Sequence, residues 1–508
     1  MTSAAAQRLP VSRALLSVAD KAGLERFAAR LVNAGVTLIA SEGTALALER
    51  AGIPVRRVAD VTGAPEILSG RVKTMHPKVM GAVLGDPTDP RHRADFEQFG
   101  IAPIDLVVVV PYRVPADPGV GWDDVVESVD IGGPALLRAA AKNHGRVAVV
   151  ADPDQYDEVA EAVGTGGTDL AMRRRLARRA LFEAASLDAA LLTHLAGGDP
   201  LPGHLLVPYR RSLPLRYGEN PDQQAAAYAG GNDVWWADAL ISGGADLSAT
   251  NLADADAALR LALDLHPPAA VVIKHTNPCG AAEADTPAAA FAAAWAGDER
   301  AAYGGVVGFN ATLDAPAAEA IASHFVEVVA ASQITPEARA ILERRSRLRV
   351  LEAPRPPAAE RALAVGGGLV LQTAPAPADP AAWRVVAGPP PDAATLEDLR
   401  VAWTVASHAA SNAVVVVSGR SAVGVGAGDQ ARVGAAERAV ARAGDRAAGA
   451  VAASDGFLPF RDGLDVLADA GVAAVVEPGG SRRDPEVAAA ARERGVTLVF
   501  TGTRRFRH

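Results

Sequence analysis

The lysines come first, because this chain has few of them and sets them beside groups able to move protons or hold anions. Among 50 Lys plus Arg residues, only Lys21, Lys73, Lys78, Lys142 and Lys274 are lysine. An ammonium is a compact charge whose proton affinity responds to its surroundings, whereas a guanidinium stays protonated. Lys274 and His275 follow the apolar run AVVI and precede Asn277-Pro278-Cys279-Gly280, so a strand end delivers an amine and an imidazole to one turn. A Lys–His pair at a strand exit reads as a proton-transfer site more than as a structural histidine. Cys279, beside a glycine, reads as a small buried residue more than as a nucleophile. Asp130 in VDIGGP and Lys142 in AAAKNH bracket a turn at Gly132, Gly133 and Pro134. A carboxylate and an amine meeting there would manage a proton, although a surface ion pair explains the same spacing.

A second group suits anions. Ser17 to Lys21, with Asp20, closes one strand and opens a helix, and Ser41, Gly43 and Thr44 do the same after the next strand. Two helix N-termini at one sheet edge present backbone N–H groups and positive dipole ends to a phosphate, though plain N-capping explains either alone. Arg71, Lys73 and Thr74 add cationic and hydroxyl donors in GRVKTMHP, which has neither helical nor strand periodicity. The segment SAVGVGAGDQAR contains G-x-G-x-G without the rest of a dinucleotide fingerprint.

The elements that must hold these residues alternate. From Arg13, short β-rich runs alternate with helical patterns in βαβ fashion, and further strands are expected at Leu106–Val110 and Val147–Val150. Residues 1–196 therefore read as a parallel α/β sheet unit with a helical stretch from Asp154 to Ala196. Gly- and Pro-rich residues 197–212 read as a linker, and 213–508 as a second α/β region with strand-like VVIKH, GGVVGF, AVVVVS and TLVFTG. No fixed-period repeat is visible.

The bulk numbers narrow the function. A net charge of -9 disfavours a nucleic-acid surface and points to small-molecule partners met by local donors. One cysteine excludes a disulfide framework and a cysteine-cluster zinc site, and no His pair has metal spacing, so no catalytic metal is expected. The chain shows neither a signal-peptide pattern nor an apolar run long enough to span a membrane, so a cytoplasmic location is expected.

Eleven segments, SVADKAGL, GRVKTMHPK, DIGGP, AAAKNH, LRYGENP, KHTNPCG, YGGVV, SNAVV, SDGFLPFRDG, PGGSRRD and RRFRH, stand in an order that resembles the bifunctional family pairing AICAR transformylase with IMP cyclohydrolase. AICAR is 5-aminoimidazole-4-carboxamide ribonucleotide. The resemblance implies an N-terminal domain like methylglyoxal synthase and a C-terminal region of two cytidine-deaminase-like subdomains without zinc. It implies 10-formyltetrahydrofolate as co-substrate and a homodimer with transformylase sites at the interface. It further implies that Asp20, Lys21, Ser41, Gly43, Thr44, Arg71, Lys73 and Thr74 surround the cyclohydrolase nucleotide. Tyr112, Asp130 and Lys142 would lie nearest the chemistry, with Lys142 the proton carrier. His275 would take the amine proton during formyl transfer while Lys274 stabilises developing negative charge. Arg216, Tyr217, Gly304, Glu327, Asn412, Arg432, Phe457 and Arg504 correspond to AICAR contacts, and Val433, Asp462, Ser481 and Arg482 to folate contacts.

Several positions depart from the family pattern. Asp222 replaces a His, and Glu42 interrupts SGGT beside a phosphate, where a carboxylate repels the ligand unless it points away or meets an arginine. Val110, Arg113, Met80, Ala245, Ala249 and Thr250 replace polar or structural residues, Thr404, Ser407 and Ala410 replace lysines, and Asp429 replaces a Gln. The expected function is formyl transfer to AICAR followed by dehydrating closure to IMP. A paralogue acting on an AICAR analogue, or a nucleotide-binding regulator, stays open at this point.

Overall fold

The structure, a computed structural model, describes residues 8–508 except 66, 68–71, 73, 116–118, 231–233, 238, 245 and 355–360. Arg71, Lys73 and Ala245 thus lie outside the described residues. The chain divides into two units, Met1–Pro208 and Tyr209–His508, with the division inside the stretch expected to be a linker.

The first unit is a parallel sheet of β1 (Arg13–Val18), β2 (Thr37–Ala40), β3 (Arg56–Arg57), β4 (Leu106–Val110) and β5 (Ala148–Val150), in the order β3-β2-β1-β4-β5. Apart from the edge strand β3, two arginines, its strands are near-continuous apolar runs because helices cover both faces, and Leu15, Leu16, Val107, Val108 and Val149 are fully buried. The chain leaves β1 toward β2 on one side, while β4 and β5 lie on the other. A crevice is therefore expected between the carboxyl ends of β1 and β4.

The second unit is built on a 12-stranded mixed sheet. Its central hairpin, Ala269–Lys274 with Asn277–Glu283, is followed outward by Gly305–Phe309, Val326–Ala331, Arg349–Glu352 and Leu240–Ser242. On the other side the hairpin Val414–Ser418 with Ser421–Gly426 is followed by Val451–Ser454, Ala474–Glu477, Thr497–Phe500 and Arg384–Ala387. The two series repeat one plan. In each, the third strand is antiparallel to the first of the hairpin, the next two run parallel to it, and the edge strand, earliest in sequence, is antiparallel. The halves join through antiparallel Asn277–Glu283 and Ser421–Gly426. Sequence reading finds no repeat here because the duplication survives in topology and in a few polar positions, not in composition.

The G-x-G-x-G segment has a packing explanation. A Cβ on Gly424 or Gly426 would strike the carbonyl oxygens of Ala439 and Ala435, so these glycines let the helix Arg432–Ala443 lie close on its strand. In the other half Gly280 meets Ala294 in the same way.

Candidate active sites

At the carboxyl edge of the first unit, Asp20 and Lys21 follow β1, Ser41 to Thr44 follow β2, and Tyr112 follows β4. Two of these groups converge on Val18. The Lys21 ammonium donates to the Val18 carbonyl, and the Thr44 hydroxyl accepts from Val18 N–H at 3.0 Å and contacts its carbonyl oxygen at 3.3 Å. Thr44 is buried and its hydroxyl is engaged, so it positions the edge and does not offer a donor to a ligand. Ser41 precedes α2 (Glu42–Arg50) but makes no side-chain cap bond, and Gly23 before α1 (Leu24–Asn33) cannot make one. Ser41 is itself buried and its hydroxyl donates to Thr44 Oγ1 at 3.4 Å, so what this helix N-terminus offers an anion is chiefly the first backbone N–H groups of α2.

Glu42, the departure that threatened this edge, is paired: its carboxylate meets Arg57 of β3 at 2.6 Å, and Arg57 also holds Glu49 at 2.7 Å. The hydrogen bond from Arg57 holds the Glu49 carboxyl below its ordinary range.

Asp130 accepts from Gly133 N–H at 2.8 Å at the start of the helix Gly132–Lys142. A Cβ on Gly133 would collide with the Asp130 carboxylate, and one on Gly132 would sit 2.8 Å from the Thr74 hydroxyl. The two glycines thus bring Asp130 and Thr74 together. Lys142 does not join them, contrary to the expected meeting at the turn. It is the last residue of that 11-residue helix, about 15 Å along the axis from Gly132 at 1.5 Å per residue, and it is exposed.

In the second unit, strand register collects the expected transformylase residues at one edge. Lys274 pairs with Asn277, Val414 faces both Gly426 and Ser454, and Glu477 faces Phe500. The ends of these strands, with the starts of Gly305–Phe309 and Val326–Ala331, put Lys274, His275, Gly304, Glu327, Asn412, Phe457, Ser481 and Arg504 on the same side of the sheet. His275 and Thr276 form the two-residue loop of the central hairpin, at φ 53° and 59°. Lys274 donates to the Tyr303 carbonyl at 2.7 Å, and Asn251 donates to Glu327 at 3.0 Å. Arg216 lies over the Tyr217 ring at 5.0 Å, in the segment that hydrogen-bonds to Leu247 and Ala249.

Arg432 is buried and committed: it pairs with Asp455 and donates to Ser454 at 3.0 Å and to Asn412 at 2.6 Å. Phe506 stacks under Arg504 at 4.6 Å and near Arg432 at 5.8 Å. Arg507 donates to the Thr276 carbonyl at 3.1 Å, so the terminal RRFRH is threaded along this edge. Val433 opens the helix behind Arg432, Asp462 opens the next helix, and exposed Arg482 follows Ser481 in a loop where Arg483 covers Phe460 at 4.5 Å.

Sequence reasoning missed Asp254, Asn251, Arg57, Asp455 and Phe506. The signal for Asp254 and Asn251 was a polar residue at the apolar spacing of NLADADAALRLAL; the others needed tertiary pairing. Burial pushes the Cys279 thiol up to about 12, in keeping with a structural role. Among the described residues, His266, Glu283 and Glu397 are close enough to share a cation, but Arg400 already binds Glu283 at 2.6 Å and Glu397 at 2.9 Å. Of the remaining departures, Asp429 pairs with Arg438 at 2.7 Å and Thr250 bonds Ser248 at 2.8 Å.

Comparison with known proteins matches this sequence to one family. The model of the AICARFT/IMPCHase bienzyme matches residues 140–442, and that of the MGS-like domain matches residues 23–135. The "Bifunctional purine biosynthesis protein PurH" of Synechococcus sp. (strain WH7803) is 44% identical over 528 residues, covering 97% of this chain and 99% of that protein. That of Mycobacterium marinum (strain ATCC BAA-535 / M) is 44% identical over 518 residues, covering 99% of each. A solved chain described as "Crystal structure of ForH" is 37% identical at a TM-score of 0.34, covering 36% of this chain and 99% of that one. The chain belongs to the AICARFT/IMPCHase bienzyme family.

Proposed function

We propose that the two activities of this bifunctional purine-biosynthesis enzyme divide between the two units, formyl transfer in Tyr209–His508 and ring closure in Met1–Pro208. The observation that carries the reading is the strand register that gathers Lys274, His275 and the nucleotide-contact positions at one sheet edge. In formyl transfer the AICAR amine attacks the formyl carbon of 10-formyltetrahydrofolate. The new C–N bond forms as the bond to folate nitrogen breaks. His275 takes the amine proton and returns it to the departing nitrogen, while Lys274, steadied by the Tyr303 carbonyl, faces the developing oxyanion. Ring closure joins the carboxamide nitrogen to the formyl carbon and expels the formyl oxygen as water. Asp130, Tyr112 and Thr74 serve that step, and Ser41 with the start of α2 receives the phosphate. Arg71 and Lys73 belong to the same proposal. Lys142 as proton carrier rests on the resemblance, since its place at the far end of its helix gives no support.

The proposal includes 10-formyltetrahydrofolate held through Val433, Asp462, Ser481 and Arg482, a cytoplasmic location suited to one buried unpaired cysteine, and a homodimer. Among the described residues no helix is long and apolar enough to cross a membrane. Sedimentation equilibrium at micromolar concentration is expected to return twice the chain mass; a monomer that retains formyl transfer overturns the dimer. The activity test supplies AICAR and 10-formyltetrahydrofolate and follows tetrahydrofolate release and IMP appearance separately. Both signals are expected, and silence from folded protein overturns the reading.

A further inference from the structure

We propose that Asp254 is a positioning residue for formyl transfer, clamping the His275–Thr276 loop in its catalytic shape. The proposal deepens the reading of that hairpin as the transformylase centre and rests on it.

Both loop residues occupy the left-handed region, at φ 53° and 59°. Two-residue hairpin loops of this kind ordinarily take Asn-Gly or Gly-Gly, and a β-branched threonine at positive φ is an outlier. Such a conformation persists only where surrounding contacts over-determine it. Here Arg507 and Asn277 hold the loop carbonyls at 3.1 and 3.0 Å, and one side chain holds both loop N–H groups. Asp254, on the helix Ala249–Leu263, accepts from His275 N–H at 3.3 Å and Thr276 N–H at 2.6 Å, one oxygen for each. It is 8% exposed, and burial raises its pKa above the ordinary range.

The second half of the sheet supplies an internal control. There Asp398, at the corresponding place on the helix Ala393–His408, accepts from Gly419 N–H at 2.9 Å and Arg420 N–H at 2.6 Å in the loop of the matching hairpin. Those loop residues have φ 58° and 60°, but they sit at the opposite edge of the sheet, away from Lys274 and the nucleotide positions. One structural device thus recurs, and only the copy at Asp254 carries an imidazole. The duplicated fold uses this clamp in both hairpins, and at His275 it fixes where a proton acceptor points.

The test compares Asp254→Asn, Asp398→Asn, Thr276→Gly and the double variant D254N/T276G, with His275→Ala alongside. Asparagine keeps the shape but turns an N–H toward one of the two backbone donors. D254N is expected to lower kcat for formyl transfer at least tenfold, with KM for AICAR and the folate within twofold and closure of supplied FAICAR, the formylated AICAR, unchanged. D398N is expected to keep kcat within twofold. Glycine adopts positive φ without help, so D254N/T276G is expected to recover kcat to within threefold of the parent. Should D254N alone fail to fold, the double variant decides: near-parental kcat supports the clamp, and a tenfold deficit overturns it. A normal kcat in folded D254N, or equal kcat losses in D254N and D398N, also overturns it. Formyl transfer surviving in H275A would instead remove the reading of the hairpin on which the proposal rests.

Discussion

Glu42 shows how a single side chain changes the meaning of a motif. As sequence, it places a carboxylate beside a phosphate position; in the fold, Arg57 takes that charge at 2.6 Å. Arg57 is therefore the charge partner of Glu42 beside the proposed nucleotide edge, although two residues of β3 are all that place it there. Arg57→Ala is expected to raise the KM for FAICAR closure fivefold or more by leaving Glu42 facing the phosphate, and E42G in the same chain is expected to restore it. Steady-state closure kinetics check this, and an unchanged KM in R57A would show that Glu42 points elsewhere. The candidate residues stood out in the sequence where strand ends and turn residues punctuate the chain, as at Ser41 and Lys274–His275. Asp254 did not, because an aspartate within an Ala-rich helix looks like a solvated face until the helix is packed against a hairpin.

Elements decide which of the legible residues meet. Asp130 and Lys142 read as a pair because a glycine turn lies between them, but the turn opens a helix that carries Lys142 to its far end. What the turn does instead is seat the Asp130 carboxylate against Gly133 and Thr74 against Gly132. Gly133→Ala is expected to displace Asp130 and lower ring closure at least tenfold while formyl transfer stays within twofold, as the coupled assay run from AICAR and from FAICAR would read. Strand Ala474–Glu477 makes a separate prediction. Its Glu477 is fully buried, with one oxygen accepting from Leu458 N–H and the other without a hydrogen-bond partner among the described residues. Burial pushes its carboxyl up to about 8. The raised value means the folded chain keeps a proton that the unfolded chain releases near pH 4.5. The stability this contributes is complete below that pH and is lost as pH rises toward 8, at about 1.4 kcal/mol per pKa unit before relaxation. Glu477→Gln is expected to raise the Tm by several degrees relative to the parent at pH 9 and to lose that advantage by pH 5; a difference independent of pH would contradict the assignment.

At the scale of the molecule, the α/β class of both units was readable from alternating periodicities. The doubled plan of the second sheet was not, since register and strand order leave no trace in one sequence. That register is what collects residues as distant in sequence as His275 and Arg504 at one edge. The central claim is that two chemistries sit on two units of one chain. It is tested most directly by following tetrahydrofolate release and IMP formation in parallel for the parent, His275→Ala and Asp130→Asn, with AICAR and separately with FAICAR. The account predicts that H275A loses folate release at least a hundredfold yet still closes FAICAR, and that D130N releases folate normally but closes FAICAR at least tenfold more slowly. Loss of both steps in either folded variant, or of neither in both, would contradict it.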